Sequence, residues 1–294
     1  MKCGGAFPLA GLVNAGHGPT QSRVNFESIE LLQDNMSILR RFARYVLPAS
    51  WRPQRRFERR LLAVSGGQVL SGPFNEMRYI NSSVGSVLPP KLMGTYELEL
   101  HTVIGRLETL APTQPIVVGA AEGYYAVGMA KWPSVVSLTA FEAVCEAHDT
   151  IRELARINGV EEKIITLGLC DCSLLNKALE ACLDKHPVLI VDIEGGEGIL
   201  LDPTVVPRLR DSIMLVEMHD AFVPGLAERL KERFSRTHRI ERIDAVSRKP
   251  SDLPEKLHPL PAFTARAAVF ALEEGRFPNM YWWLLIPVNA REFI

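Results

Sequence analysis

The sequence predicts an α/β fold, a seven-stranded mostly parallel sheet with a helical extension on its N-terminal side. Three observations predict it. From about residue 111 onward, short apolar runs alternate with helix-like stretches, the pattern of right-handed βαβ units. Nearly every apolar run ends directly in a glycine-rich or acidic turn. Apolar residues make up 47% of the 294-residue chain, which is enough for a sizeable core.

Residues 1–20 carry one lysine, several glycines and two prolines. No apolar stretch survives that is long enough for a signal peptide, and a mobile terminus is expected. Residues 21–110 form the helical extension, expected to cap the site or make a dimer. Ile29, Leu32, Met36, Leu39, Phe42 and Val46 recur at spacings of three and four, the mark of a helix from about Phe26 to Leu47. A second helix is expected over Trp51 to Leu62. Ser71 to Pro90 has Gly72, Pro73, Asn81, Gly85, Pro89 and Pro90 and reads as loop. Lys91 to Leu110 reads as a further helix.

Residues 111–294 form the sheet domain. Expected strands are Ile116–Val118, Val135–Phe141, Lys163–Leu169, Pro187–Val191, Ser212–Glu217, His238–Ala245 and Met280–Val288. Expected helices are Tyr124–Lys131, Ala143–Asn158, Leu174–Leu183, Pro224–Phe234 and Ala262–Glu274. Trp282 and Trp283 alternate along the last strand, so one is expected in the core and the other on a pocket wall or subunit contact.

Charge says less than pattern. The 33 basic and 34 acidic residues nearly cancel, which excludes an acidic disordered chain and gives no overall reason to expect a polyanion partner. Five cysteines without a C-x-x-C point away from a disulfide scaffold or zinc ribbon. No run approaches a membrane span. A cytoplasmic protein without membrane or nucleic-acid partner is expected, acting on a small molecule as a homodimer. The local exception is Arg52 to Arg60, five arginines in nine residues, which keeps an enzyme acting on RNA as an alternative.

In an open parallel sheet, ligands bind beyond the carboxyl ends of the strands, where the strand order reverses. Gly119-Ala120-Ala121-Glu122-Gly123 follows the first strand, where glycine lets backbone approach a ligand closely and the next helix start favours negative charge. Glu142 ends the second strand, 19 residues after Gly123, placed to accept from both hydroxyls of a ribose. Asp171 ends the third, placed for an adenine edge. One glycine turn without G-x-G-x-x-G suits a mononucleoside such as S-adenosylmethionine better than a dinucleotide.

At these residues a family resemblance enters. Val117-Val-Gly-Ala-Ala-Glu-Gly-Tyr-Tyr-Ala-Val-Gly128 resembles the first motif of class I S-adenosylmethionine-dependent methyltransferases. Asp192-Ile-Glu-Gly-Gly-Glu197 and Leu215-Val-Glu-Met-His-Asp220 resemble the FkbM-like branch. Gly72-Pro-Phe and Leu92-Met-Gly-Thr-Tyr-Glu-Leu-Glu99 are similar to the helical extension of a bacterial subgroup. The resemblance implies the Rossmann-like methyltransferase fold and S-adenosyl-L-methionine as cofactor, in small-molecule biosynthesis. The family's acid two residues before the first glycine, which holds the methionine amino group, is Val117 here. Glu122 or Glu97 is the expected substitute, with Tyr96 and Glu97 on a helix folding over the cofactor. The same departure keeps alive a non-methylating, adenosyl-ligand-binding or structural subunit.

Methyl transfer needs an acceptor held in line, and a neutral hydroxyl or protonated amine also needs a base. Asp192 and Glu194 after the fourth strand, with Glu217 and His219 at the end of the fifth, are the expected catalytic groups. Their carboxylates suit an amine or guanidine acceptor about as well as a hydroxyl. Asp192, Glu194, His219 and Asp220 are metal-ligand residue types. Their spacing fixes no coordination geometry, so no metal is assigned.

Overall fold

The computed structural model describes residues 53–80, 86–258, 269, 271–274 and 280–290. The helix expected over Phe26 to Leu47 lies outside the described residues, as does most of Ala262–Glu274. Helices α1 (Pro53–Ser65), α2 (Leu88–Met93) and α3 (His101–Thr109) come first. Then follow β1 (Ile116–Val118), α4 (Tyr124–Ala130), β2 (Leu138–Phe141), α5 (Cys145–Ile157), β3 (Ile164–Leu167), α6 (Cys172–Ala181) and β4 (Val188–Val191). The chain continues through α7 (Glu197–Leu200), β5 (Ile213–Met218), α8 (Leu226–Phe234), β6 (His238–Asp244) and β7 (Tyr281–Pro287). Among the described residues, no helix is long and apolar enough to cross a membrane.

The expected Rossmann-like sheet is present, in the order β3-β2-β1-β4-β5-β7-β6. The first five strands run parallel, and β7 inserts antiparallel between β5 and β6. β1 lies between β2 and β4, so the crossovers diverge there and open a crevice at its carboxyl end.

Side chains alternate across the sheet as a period of two demands. Val117, Ile190, Leu215 and Trp282 join one core, packed with Phe57 of α1, Leu92 of α2, Ile104 of α3, Val127 of α4 and Leu154 of α5. Val118, Val191, Val216 and Trp283 join the other, against Leu179 of α6, Leu200 of α7 and Leu230 of α8. The central strands are apolar on both faces because helices cover both. Residues Phe57–Ile294 form one compact unit, with α1 to α3 contributing to the sheet's own core. Both tryptophans of β7 are buried, one in each core, so neither is the pocket wall or subunit contact expected of one of them.

The expected single helix from Lys91 to Leu110 is broken. Gly94 ends α2 in the left-handed region, with φ +73°, and a Cβ there would fall 1.9 Å from the Ser71 carbonyl oxygen. Helical periodicity continues past this point, but the chain must turn to let the two backbones meet. A short 3₁₀ turn at Leu98–Leu100 then leads into α3. Tyr96 and Glu97 therefore lie in the break and not on a helix. At the other end, α2 begins two residues before the expected loop finishes, since Pro89 and Pro90 fit its first turn.

Candidate functional site

A cleft of about 1220 Å³ opens at the carboxyl ends of the parallel strands. The turns after β1, β2, β3 and β4 each contribute, through Gly119–Ala121, Glu142, Asp171, and Asp192 with Glu194. These are the strand ends singled out from sequence, brought to one place.

The β1 turn is pressed against the start of the β4 turn. Gly119 has φ +84°, and a Cβ on it would lie 1.7 Å from the Asp192 carbonyl oxygen. The Asp192 amide donates to Val118 at 2.9 Å, and the Gly119 and Ala120 amides both donate to Phe141. Glu142 is held at both oxygens, accepting from the amides of Ala121 at 2.7 Å and Val144 at 2.8 Å. Only 8% of the residue is exposed, yet it lines the cleft. Two backbone donors fix the carboxylate plane and leave further lone pairs for a ligand hydroxyl. Asp171 caps α6, accepting from the Leu174 amide at 2.8 Å, and also lines the cleft.

The two carboxylates expected to replace the acid missing at Val117 are engaged elsewhere. Glu122 is fully buried, pairs with the ammonium of Lys91, and accepts from the Tyr79 hydroxyl at 2.6 Å. Glu97 is buried and accepts from the Tyr125 hydroxyl, while its amide donates to Glu274 at 2.9 Å. Neither lines the cleft, and neither does Gly123. The reason is local: burial of Glu122 beside β1 requires a cation, and Lys91 of α2 supplies it. Burial, with Glu122 beside it, pushes the Tyr79 hydroxyl pKa well above its ordinary value.

Tyr96 does line the cleft, with Lys91, Tyr124 and Tyr125. The Lys91 ammonium sits 4.7 Å from the Tyr96 ring centre and 5.6 Å from that of Tyr124, within cation–π range. Sequence reasoning missed Lys91, Tyr124 and Tyr125. The double tyrosine directly after the glycine turn was the available signal.

At the β4–β5 side, four acids surround one imidazole. His219 is fully buried, with Nδ1 2.8 Å from Oε1 of the buried Glu197. Its Nε2 faces Glu194 Oε2 at 3.5 Å, Asp192 Oδ1 at 3.7 Å and Glu217 Oε2 at 3.7 Å. Those three are ion-pair distances, too long and unsuited for hydrogen bonds. Nε2 of His219 and Oδ1 of Asp192 are both buried without a hydrogen-bond partner. Burial opposes charge on the imidazole, but Glu197, Asp192 and Glu194 outweigh it and raise its pKa. Burial likewise resists charge on Glu197, and the His219 hydrogen bond overcomes it, lowering that carboxyl.

The four residues expected to be catalytic are thus together. Asp192 and Glu194 line the cleft, and Glu217 and His219 do not. Glu197 was present in the quoted motif without a role, and it is the group that orients His219. Asp220 has a different job: its carboxylate accepts from the Ala227 amide at 2.8 Å and from the Tyr281 hydroxyl, tying the β5 turn to α8 and β7.

Two further features carry little chemistry. Burial pushes the Cys170 thiol up to about 12, so Cys170 forms no reactive thiolate at neutral pH. The Arg52–Arg60 run overlaps α1, where Phe57 is core while Arg59 and Arg60 are exposed; Arg52 lies outside the described residues.

No family model matches the sequence, and no curated protein matches it. Among solved structures, the chain is similar to an O-methyltransferase from Bacillus cereus in complex with SAH. That match has 8% identity and a TM-score of 0.43, covering 84% of this chain and 96% of that one. It is also similar to the O-methyltransferase TomG from Streptomyces achromogenes in complex with SAM, at 14% identity and TM-score 0.39, over 50% and 72% of the two chains. An rRNA methylase from Streptococcus thermophilus aligns at 10% identity and TM-score 0.39, over 64% and 96%.

Proposed function

We propose that this chain is an S-adenosylmethionine-dependent methyltransferase that methylates an oxygen or nitrogen of a small-molecule acceptor. One observation carries the reading. A single cleft at the sheet's switch point has a backbone-anchored Glu142 toward β2 and the acidic Asp192 and Glu194 beyond β4.

The residues present fit the cofactor. A turn that admits only glycine at position 119 brings backbone to the cleft, and Glu142 is fixed for paired hydroxyls. The volume exceeds the range of about 300–1,000 Å³ usual for one ligand, leaving room for an acceptor. Gly119, Ala120 and Ala121 would pass beneath the nucleoside, Glu142 would accept from the ribose hydroxyls, and Asp171 would meet the adenine. When bound, the cofactor supplies an electrophilic methyl group on a positively charged sulfur.

The protein's own groups supply orientation and proton handling. Asp192 and Glu194 hold the acceptor's hydroxyl or amine and take up its proton. His219, fixed through Nδ1 by Glu197, turns its Nε2 toward the two carboxylates. Tyr96, Tyr124 and Tyr125 line the same cleft and exclude water from it. The acids Asp171, Asp192 and Glu194 on the cleft wall disfavour a phosphate backbone, which supports a small acceptor over RNA. Convergence of Asp192 and Glu194 on one histidine supports the FkbM-like resemblance, since both belong to its Asp-x-Glu-Gly turn.

Calorimetry with S-adenosylmethionine and S-adenosylhomocysteine tests the reading. Micromolar binding of both is expected. Failure of either to bind would overturn it.

A further inference from the structure

We propose that Asp192, Glu194 and His219 form a binding site for one divalent first-row transition cation, with Mn²⁺ and Zn²⁺ the best matches. One ligand atom from each lies within 4.8 Å of the others. The site deepens the methyl-transfer reading in one respect only: its use in catalysis rests on that reading, whereas metal binding does not.

An acidic cluster alone would be weak ground, because exposed carboxylates gather without an ion. Here the independent observation is His219. Its side chain is fully buried, its Nε2 has no hydrogen-bond partner, and that atom is aimed between the Asp192 and Glu194 carboxylates. Asp192 Oδ1, facing it, is also buried without a hydrogen-bond partner. Leaving such atoms unsatisfied is costly, and one cation between them would satisfy both.

The spacing fits. Donors about 2.1 Å from a tetrahedral ion lie roughly 3.4 Å apart, and about 3.0 Å apart around an octahedral one. The separations from Nε2 to the two carboxylates, 3.5 and 3.7 Å, need only small movements to close on an ion.

The surroundings fit as well. Metal-bound histidines commonly give their second ring nitrogen to a carboxylate, which fixes the tautomer and raises basicity. Glu197 makes that contact with Nδ1 at 2.8 Å and is itself steadied by the amides of Ile193 and Gly195. Glu217 adds a further nearby carboxylate. One imidazole with two carboxylates favours Mn²⁺ or Zn²⁺ over Mg²⁺ or Ca²⁺, which take oxygen ligands. Asp220, a candidate ligand by residue type, is engaged with Ala227 and Tyr281 and is not part of the set. Because Asp192 and Glu194 line the cleft, a remaining coordination position would be open to an acceptor oxygen or nitrogen, lowering its pKa as a Lewis acid does.

The 294-residue chain, stripped with chelator, is titrated with MnCl₂ alone by calorimetry and by electron paramagnetic resonance. Mn²⁺ is the decisive probe because the five cysteines offer Zn²⁺ other sites. One equivalent should bind with micromolar affinity. Glu194→Gln should weaken binding by at least about tenfold, and Glu197→Gln by about 10- to 100-fold. The Glu194 side chain is 78% exposed, so its replacement keeps the fold and circular dichroism should be unchanged. Absence of Mn²⁺ binding up to millimolar concentration would overturn the site. So would affinity unchanged in both Glu194→Gln and Asp192→Asn. Neither result bears on cofactor binding, which is measured without metal.

Discussion

The two ends of the cleft are built differently. At the β1–β2 end, backbone does the work: amides of Gly119 and Ala120 close on Phe141, and amides of Ala121 and Val144 hold Glu142. The one carboxylate there, Glu142, is paired at both oxygens within the protein. At the β4–β5 end, side chains dominate, and buried atoms of His219 and Asp192 face one another without hydrogen bonds. The first arrangement suits recognition of an invariant ligand, whose shape a rigid backbone can match. The second leaves polar capacity for something that arrives, an acceptor group or a cation. A finished end and an unfinished end in one cleft divide binding from chemistry.

Substitutions at the two ends should therefore fail in different ways. The largest effect is expected for Asp192→Asn, which removes a charge at the unfinished end. Turnover should fall by about 10²–10⁴-fold with S-adenosylmethionine affinity within a few-fold. Steady-state kinetics paired with calorimetry reads both, and a matched loss of affinity would erase the division.

Next comes Gly119→Ala. A methyl group would press on the Asp192 carbonyl at a backbone angle disfavoured for alanine, so about 3 kcal/mol of stability should be lost together with cofactor binding. Urea denaturation and calorimetry check it. A variant of unchanged stability would mean the two turns do not meet as described.

Glu142→Gln should cost about 10- to 100-fold in cofactor affinity. The Ala121 and Val144 amides donate to different carboxylate oxygens, and the glutamine NH2 that replaces one of them cannot accept, so the group would also lose its fixed orientation. Turnover at saturating cofactor should stay near wild type. The smallest effect is expected for Arg59→Ala with Arg60→Ala, both exposed: stability should change by less than about 0.5 kcal/mol per site. RNA binding should be negligible before and after, and salt-dependent binding lost in the double variant would restore the RNA reading.

The sheet was legible in the sequence because strands covered on both faces are apolar throughout and stop abruptly at polar turns. Val188–Val191 and Ile213–Val216 are clear cases, and the acids that follow them are the ones that converge. The break at Gly94 was not legible. Its cause is the Ser71 backbone more than twenty residues away, and helical periodicity on either side masks it. Glu122 and Glu97 misled for a related reason: a carboxylate in a glycine turn or near a lid has the right chemistry, but a buried lysine or tyrosine can claim it. Lys91 and Tyr125 do so here. Glu197 shows the converse. Its spacing from Asp192 was visible, while its role depends on a histidine that arrives from the neighbouring strand.

A crystal structure with S-adenosylhomocysteine tests the division of the cleft most directly. The account predicts ribose hydroxyls on Glu142, adenine beside Asp171, and the thioether sulfur directed toward Asp192 and Glu194. A nucleoside bound away from Glu142, or a sulfur turned from the β4–β5 carboxylates, would contradict it.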